Sequence, residues 1–169
     1  MIHALELTGR QVLTIDEGAA AGKVNGVLVN SVTGEVAALV VILNDTFESP
    51  RAVPVALVQG VGDDAVIIEN SSALIEFAQS PELKAMGRLD SQIRGLPVIT
   101  AVGKSLGRVA DLILSIDTAR VEAYDVEPEP GATHAMLEAK LVATIGRDAI
   151  IAAAGAKLGA SQGGGGDRV

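Results

Sequence analysis

The sequence of 169 residues contains no cysteine, and its aromatic residues are two Phe and one Tyr. The absence of cysteine excludes disulfide bonds, thiolate catalysis and zinc–thiolate sites, and favours a reducing cytoplasm as the location. Because aromatic side chains are so few, the core has to be built from Val, Ile, Leu and Ala. Residues with a branched Cβ favour strands, so the composition predicts a mainly β protein.

Basic residues are also scarce, since the formal net charge is −8 and the isoelectric point is about 4.7. Such a surface repels nucleic-acid phosphates and anionic membranes, and we expect neither as a direct partner. The strongly apolar run at residues 36–43 is far shorter than the roughly 20 residues of a membrane-spanning helix. Residues 1–10 lack the basic and apolar regions of a secretory signal. We expect a soluble cytoplasmic protein without direct membrane insertion.

Two glycine–lysine segments are near matches to a phosphate-binding loop. Gly18 and Gly22 are one residue closer than G-x-x-x-x-G-K-[ST] requires, and Val24 occupies the hydroxyl position. In the second segment, Val98 stands where the first glycine is needed. We therefore interpret both segments as turns and expect no nucleotide and no other cofactor.

The second half of the sequence repeats the first. The aligned pairs include Gly9 with Gly95, Val12 with Val98, Gly22 with Gly107, Val36 with Val121, Ala38 with Ala123, Gly62 with Gly146 and Asp64 with Asp148. Lys23 and Lys104, which imitate the lysine of a phosphate loop, are not equivalent in this repeat alignment. The repeat predicts two copies of one structural unit.

Short apolar segments separated by turn residues run through both copies, which is typical of a small β-barrel or sandwich. Predicted strands are 10–15, 23–30, 35–43, 52–55 and 65–69 in the first copy, and 96–101, 108–115, 120–126, 135–138 and 149–153 in the second. The predicted organisation is a first domain at residues 1–75, a helical linker at 76–88, a second domain at 89–159 and a flexible glycine-rich tail at 160–169.

Local signals add helices and turns to this pattern. Ser80 as N-cap and Gly87 at the C′ position predict a short helix between them, and residues 72–79 and 152–158 are further helical candidates. Gly34 predicts a tight turn with positive φ. Ala119 replaces it in the second copy, which predicts a different turn type or backbone strain there.

With the repeat in place, each copy resembles the PRC-barrel family, a small β-barrel named after the H subunit of photosynthetic reaction centres. The segments that carry the resemblance are Gly9-x-x-Val12, Gly22-Lys23-Val24, Thr33-Gly34-Glu35-Val36, Val53-Pro54-Val55 and Val61-Gly62-Asp63-Asp64-Ala65-Val66 in the first copy, and Gly95-x-x-Val98, Gly107-Arg108-Val109-Ala110-Asp111 and Ile145-Gly146-Arg147-Asp148-Ala149-Ile150 in the second. The resemblance implies two tandem small β-barrels that make protein–protein contacts without catalysis.

Groups for acid–base catalysis are sparse. The two histidines, His3 and His134, have no sequence neighbours that would complete a nucleophile–base set, so we expect no enzymatic activity. Asp63 and Asp64 follow glycines and are interpreted as turn residues.

An acidic face is predicted where Asp125, Glu127 and Glu129 alternate along a strand end. These carboxylates could gather a hard cation. The interleaved Pro128 and Pro130 favour the alternative of a solvated strand edge that discourages pairing with another chain.

The apolar strand at residues 36–43 has no polar position, which predicts that both of its faces are covered. A small barrel has one interior, so the outer face has to meet a helix, the other copy, a second subunit or a partner. The residues predicted to form a contact surface are Val36, Leu39, Val41, Leu43, Val121 and Tyr124. Since side chains alternate along a strand, at least one of those in 36–43 should prove to be core.

The leading functional interpretation is a non-enzymatic adaptor or scaffold that binds another protein and forms a homo-oligomer, such as a homodimer. The alternative is a small-ligand or cation-binding module that uses the acidic face at residues 125–129 or the cleft between the barrels.

Overall fold

The computed structural model describes residues 1–44 and 47–160, and for Met86 it describes the backbone alone. Strands up to the second copy are β1 (Ile2–His3), β2 (Gln11–Thr14), β3 (Ala20–Asn30), β4 (Val36–Leu43), β5 (Arg51–Pro54), β6 (Val58–Val61), β7 (Ala65–Ile68), β8 (Ile75–Glu76) and β9 (Gly87–Leu89). The remaining strands are β10 (Pro97–Thr100), β11 (Ser105–Ser115), β12 (Arg120–Glu127), β13 (Ala135–Glu138), β14 (Val142–Ile145), β15 (Ile150–Ala152) and β16 (Gly159–Ala160). Helices are α1 (Ala4–Leu7), α2 (Pro81–Met86) and α3 (Asp90–Ile93), with 3-10 turns at Val55–Leu57, Ser71–Ala73, Phe77–Gln79 and Ala139–Leu141.

These strands form two curled sheets, one for each copy of the repeat. The first has the order β6-β7-β2-β3-β4-β5-β8, and the second has the equivalent order β14-β15-β10-β11-β12-β13-β16. Parallel pairing occurs between β2 and β7 and, equivalently, between β10 and β15. The prediction of a mainly β chain with two tandem barrel-like units is confirmed. We call these units barrel 1 and barrel 2.

Each barrel receives a short strand from the segment that precedes the other one. β1, which leads into barrel 1, pairs with β11 of barrel 2, and Ile2 lies opposite Leu114. β9, which leads into barrel 2, pairs with β3 of barrel 1, and Leu89 lies opposite Leu28. The exchange relates the two barrels by an approximate two-fold axis.

Backbone hydrogen bonds near this axis join the barrels directly. The N–H of Val36 donates to the carbonyl oxygen of Ala119 at 2.8 Å, and the N–H of Val121 donates to that of Gly34 at 3.0 Å. The two bonds are equivalent in the repeat, and they flank an antiparallel bridge between the equivalent residues Glu35 and Arg120. The junction therefore has the self-complementary form of a dimer interface, within one chain.

A single hydrophobic cluster runs through both barrels, from Val12, Leu39 and Val66 in barrel 1 to Leu112 and Val126 in barrel 2. A second, smaller cluster lies on the outer face of barrel 1. It consists of Leu28, Ala38, Val40 and Ala52, packed against Phe77, Leu83 and Leu89. The linker segment thus covers the outer face of the first barrel.

In the two segments that nearly match a phosphate-binding loop, two glycines lie in turns and two lie inside strands. Gly18 and Gly103 lie before the strands and have φ values of 61° and 84°. Gly22 and Gly107 lie inside β3 and β11 rather than in turns, and a Cβ on either would lie 2.3 Å and 2.2 Å from a carbonyl oxygen of the neighbouring chain segment. Because a carbon atom cannot approach so closely, only glycine fits there.

Of the two alternatives predicted for the second hairpin turn, the structure shows backbone strain, because Ala119 occupies the same left-handed region as Gly34. Gly34 has a φ of 73°, and Ala119 has a φ of 55°, the one positive value among the described non-glycine residues. An L side chain in this left-handed region costs about 1 kcal/mol. The hydrogen bond from Val36 to the Ala119 carbonyl holds this turn in place.

Three local predictions need correction. Gly87 does not end α2 in the left-handed region, since its φ is −91° and Ser80 makes no side-chain cap. It pairs with Asn30 in the sheet, where a Cβ would lie 2.5 Å from the Leu28 side chain. The helix predicted at residues 152–158 is absent, since Ala152 ends β15 and residues 153–158 form a turn and irregular structure before β16. Of the tail predicted at 160–169, Ala160 ends β16 and the rest lies outside the described residues.

Candidate functional site

The six residues predicted as a contact surface do not form one. Val36, Leu39, Val41, Val121 and Tyr124 are buried, and Leu43 is half-buried. The two barrels cover these side chains with each other and with their own interiors. Burial of the Tyr124 side chain raises its pKa to about 12. The apolar strands are therefore covered within the same chain, by the other barrel and, on the outer face of barrel 1, by the linker segment.

Two grooves lie along the junction, where an edge strand of one barrel faces the hairpin of the other. The first groove, of about 940 Å³, is lined by all of β6 together with Pro54–Ala56 of barrel 1 and by Leu114–Asp117 and Ala119 of barrel 2. The second groove, of about 540 Å³, is lined by all of β14 and by the hairpin residues 31–34 of barrel 1. The approximate two-fold axis exchanges the two grooves.

The side-chain charges of the two grooves differ. The first groove contains four carboxylates and one guanidinium, which belong to Glu6, Glu35, Asp63, Asp117 and Arg10. Arg10 donates a hydrogen bond to the carbonyl oxygen of Gly62 at 2.6 Å. The second groove balances Arg120 and Lys140 against Glu122 and Glu138. Only the first groove therefore carries an excess of negative charge.

The outer face of barrel 2 holds a pair of buried carboxylates that sequence reasoning missed. Asp111 of β11 and Asp125 of β12 are directly opposite in the strand register, and they are 4 % and 9 % exposed. Burial raises the pKa of Asp111, although hydrogen bonds from the Leu112 and Leu5 amides act in the opposite direction. Like charges directly opposite across a sheet are destabilising, so the pair needs local compensation.

Two histidines provide this compensation. The Nδ1 of His3 lies 3.3 Å from Asp111 Oδ2, and the Nδ1 of His134 lies 2.9 Å from Asp125 Oδ2. The bond with Asp125 raises the pKa of His134, as does the nearby charge of Glu127. Asp125 Oδ1 is buried without a hydrogen-bond partner. Each of the two buried carboxylates on the outer face of barrel 2 is thus in contact with one histidine.

The acidic face predicted at residues 125–129 is partly neutralised by His134. The imidazole also places Nε2 at 3.7 Å from Glu127 Oε2, while Glu127 Oε1 accepts the Gly131 N–H at 2.7 Å. Among the described residues, no group of three or more His, Asp or Glu side chains is placed to hold a metal ion. Asp125 and Glu127 therefore contact an imidazole and a turn, while Glu129 lies beyond the end of β12 and does not continue the predicted alternation along the strand.

At each of the two places where a helix packs on a strand between the barrels, a buried carboxylate accepts a backbone N–H of the strand. The carboxylate belongs to the helix in one place and to the strand in the other. In barrel 1, Asp90 of α3 is 1 % exposed and accepts the Val27 N–H at 2.9 Å, next to Gly26. Its other oxygen pairs with Arg94. In barrel 2, Asp111 of the strand itself accepts the equivalent N–H, that of Leu112, at 2.8 Å.

The residue facing each of these carboxylates is small. A Cβ on Gly26 would lie 2.9 Å from Asp90 Oδ1, so glycine makes room for the helix carboxylate. At the other junction, Asp111 accepts the Leu5 N–H of α1 at 3.3 Å, and the α1 position equivalent to Asp90 is the fully buried Ala4. The buried carboxylate thus belongs to the helix α3 at the barrel 1 junction and to the strand β11 at the barrel 2 junction.

Comparison with known families gives the same division of the chain. The PRC-barrel domain model matches residues 1–75 and again residues 87–158. The chain belongs to the PRC-barrel family. No curated protein matches it. Among the described residues of these two PRC barrels, no helix has the length and hydropathy to cross a bilayer.

The alignment of the two PRC-barrel repeats contains an indication of the carboxylate pair. The alignment that superposes Val36 on Val121 also places Val40 on Asp125 and Gly26 on Asp111. Two positions that are small or apolar in one copy are therefore acidic in the other. Their approach across the sheet becomes visible only with the strand register.

Proposed function

We propose that this pair of PRC barrels is a non-enzymatic adaptor that binds an extended, basic segment of another protein in the first groove. The observation that carries the proposal is that β6 lines this groove along its whole length and, among the described strands, pairs on one side only. An unpaired strand edge offers backbone donors and acceptors to an incoming strand. No catalytic step is part of the proposal.

Charge supports a basic segment as the occupant. Four carboxylates against one guanidinium surround the groove, in a chain whose net charge is −8. Opposite charge speeds the encounter of a partner and selects against acidic competitors. The same field disfavours nucleic acid, whose phosphates it would repel.

Rigidity supports the adaptor role. The groove is bordered by both barrels, and the barrels are fixed to each other by exchanged strands and by the backbone bonds of Val36 and Val121. A preformed groove loses little conformational entropy when a ligand enters. The cytoplasmic location predicted from the composition is compatible with such a role and is part of this proposal.

A displayed library of random peptides tests the proposal. The full chain should select peptides with Lys or Arg in an extended, β-forming context. Asp63→Arg combined with Asp117→Arg should weaken their binding at least about tenfold, since two favourable charges become repulsive. Arg147 occupies the turn position equivalent to Asp63 in barrel 2, so the turn accepts this side chain.

Asp16→Arg with Glu69→Arg is the matched control, because it makes the same change in net charge at exposed positions outside the groove. It should leave most of the affinity intact. Selection of no peptides, or of peptides that the groove variant and the control weaken equally, would contradict the proposal.

A further inference from the structure

A third groove, of about 700 Å³, lies on the outer face of barrel 1. Leu28 and Val40 of the sheet are buried beneath it, and Leu83 of α2 and Leu89 of β9 contribute to one side. Both phenylalanines of the chain, Phe47 and Phe77, line it as well. The groove therefore holds two of the three aromatic side chains of this sequence.

The Phe47 side chain stands out from this groove. It is 97 % exposed, more than any other large hydrophobic side chain in the described part of the molecule. Single exposed apolar residues are common and carry no meaning by themselves. Here, however, the exposed aromatic ring lies at the rim of an apolar groove in the same chain. A projection and a matching recess on one surface patch are the requirement for an isologous contact.

The charges of the third groove permit the approach of a second copy. Its lining balances Arg51 and Lys84 against Glu48 and Glu76. Arg51 already pairs with both acids, at 2.9 Å to Glu48 and 3.2 Å to Glu76. The first groove, with its excess of carboxylates, would repel another acidic chain. The third groove would not, and Lys84, which makes no ion pair with another described residue, can meet an acidic side chain across a two-fold axis.

We propose that two copies of the chain associate through the third groove, each placing Phe47 against the apolar lining of the other. The equivalent face of barrel 2 carries Asp111, Asp125 and His134, so its chemistry is polar rather than apolar. One such patch per chain closes the assembly as a two-fold dimer rather than an open filament. The first and third grooves share no lining residue, so the proposal is independent of peptide binding.

Sedimentation equilibrium of the full chain tests this dimer. The wild type should show a concentration-dependent monomer–dimer equilibrium, and Phe47→Ser should raise the dimer dissociation constant at least about tenfold. Lys84→Glu should weaken the dimer too, because it makes the balanced rim acidic. Both positions are exposed, so neither substitution should unfold the barrel.

Val32→Ser is the matched control. Val32 is another highly exposed apolar residue, but it lies in the second groove, so its loss should leave the dimer unchanged. A wild type that remains monomeric at every accessible concentration overturns the proposal, whatever else the groove binds. A dimer that Phe47→Ser does not weaken, or that Val32→Ser weakens equally, overturns it as well.

Discussion

The outer faces of the two barrels are built on equivalent strands but have opposite chemistry. In barrel 1, Val40 lies in an apolar cluster under Phe77 and Leu83 of the linker segment. In barrel 2, the equivalent position is Asp125, which lies opposite Asp111 and bonds to His134. The repeated sequence thus specifies the barrel, while the segments that lie over each face decide what the face can contact.

The largest expected effect comes from exchanging the residues that distinguish these faces. Val40→Asp should destabilise the fold by about 4 kcal/mol, because it buries a carboxylate in an apolar cluster without an imidazole partner. Asp125→Val should leave the stability within about 1 kcal/mol of wild type, because it removes a buried oxygen that has no partner. Urea unfolding measures both. Equal losses for the two variants would show that the faces do not differ as described.

The buried carboxylate belongs to a helix at one junction and to a strand at the other. Transferring the Asp from the helix to the strand in barrel 1 tests whether the two arrangements are equivalent. Asp90→Ala should cost about 3 kcal/mol in unfolding free energy, since it leaves Arg94 and the Val27 N–H without their buried partner. Adding Gly26→Asp to that variant recreates the arrangement of barrel 2. We expect the double variant to recover part of the loss in urea unfolding. A double variant less stable than Asp90→Ala would show that the two junctions are not interchangeable.

The smallest effect concerns the imidazole of the barrel 2 face. Asp125 raises the pKa of His134, so the stabilisation is fully present below the ordinary histidine pKa and is lost as the pH rises through the raised value. His134→Gln should therefore cost about 0.5 kcal/mol at acidic pH, because the side chain is 42 % exposed and the ion pair is screened.

At a pH well above the histidine range, His134→Gln and the wild type should be equally stable in urea. Asp111 titrates in both proteins, so its contribution cancels in the difference between them. A constant difference across the pH range would mean that the ring acts through packing rather than charge.

The barrels could be predicted from the sequence, whereas their mutual arrangement could not. Turn glycines such as Gly34 and the repeated apolar segments indicate the main strands. β1 and β9 are too short to leave a pattern, and β6 contains Gln59 and Gly60, which do not favour strands. These short strands are the ones that join the barrels and border the first groove.

The cover of the apolar strand and the carboxylate pair of barrel 2 could not be predicted either, because both depend on contacts between residues far apart in the sequence. The excess of apolar residues at 36–43 correctly indicated covered faces, but it did not choose among a helix, the other copy, a second subunit and a partner as the cover. Asp125 attracted attention because of Glu127 and Glu129, its neighbours in sequence. Its structural neighbours are Asp111 and His134, which only the strand register and the loop conformation bring close.

Native-state hydrogen exchange at the Val36 and Val121 amides tests most directly the central claim that the two barrels form one cooperative unit. Both amides donate across the junction, so their exchange reports separation of the barrels. We predict that they exchange with the same opening free energy as the amides paired between β3 and β4 and between β11 and β12. Fast exchange at Val36 and Val121, with slow exchange inside both sheets, would contradict the account.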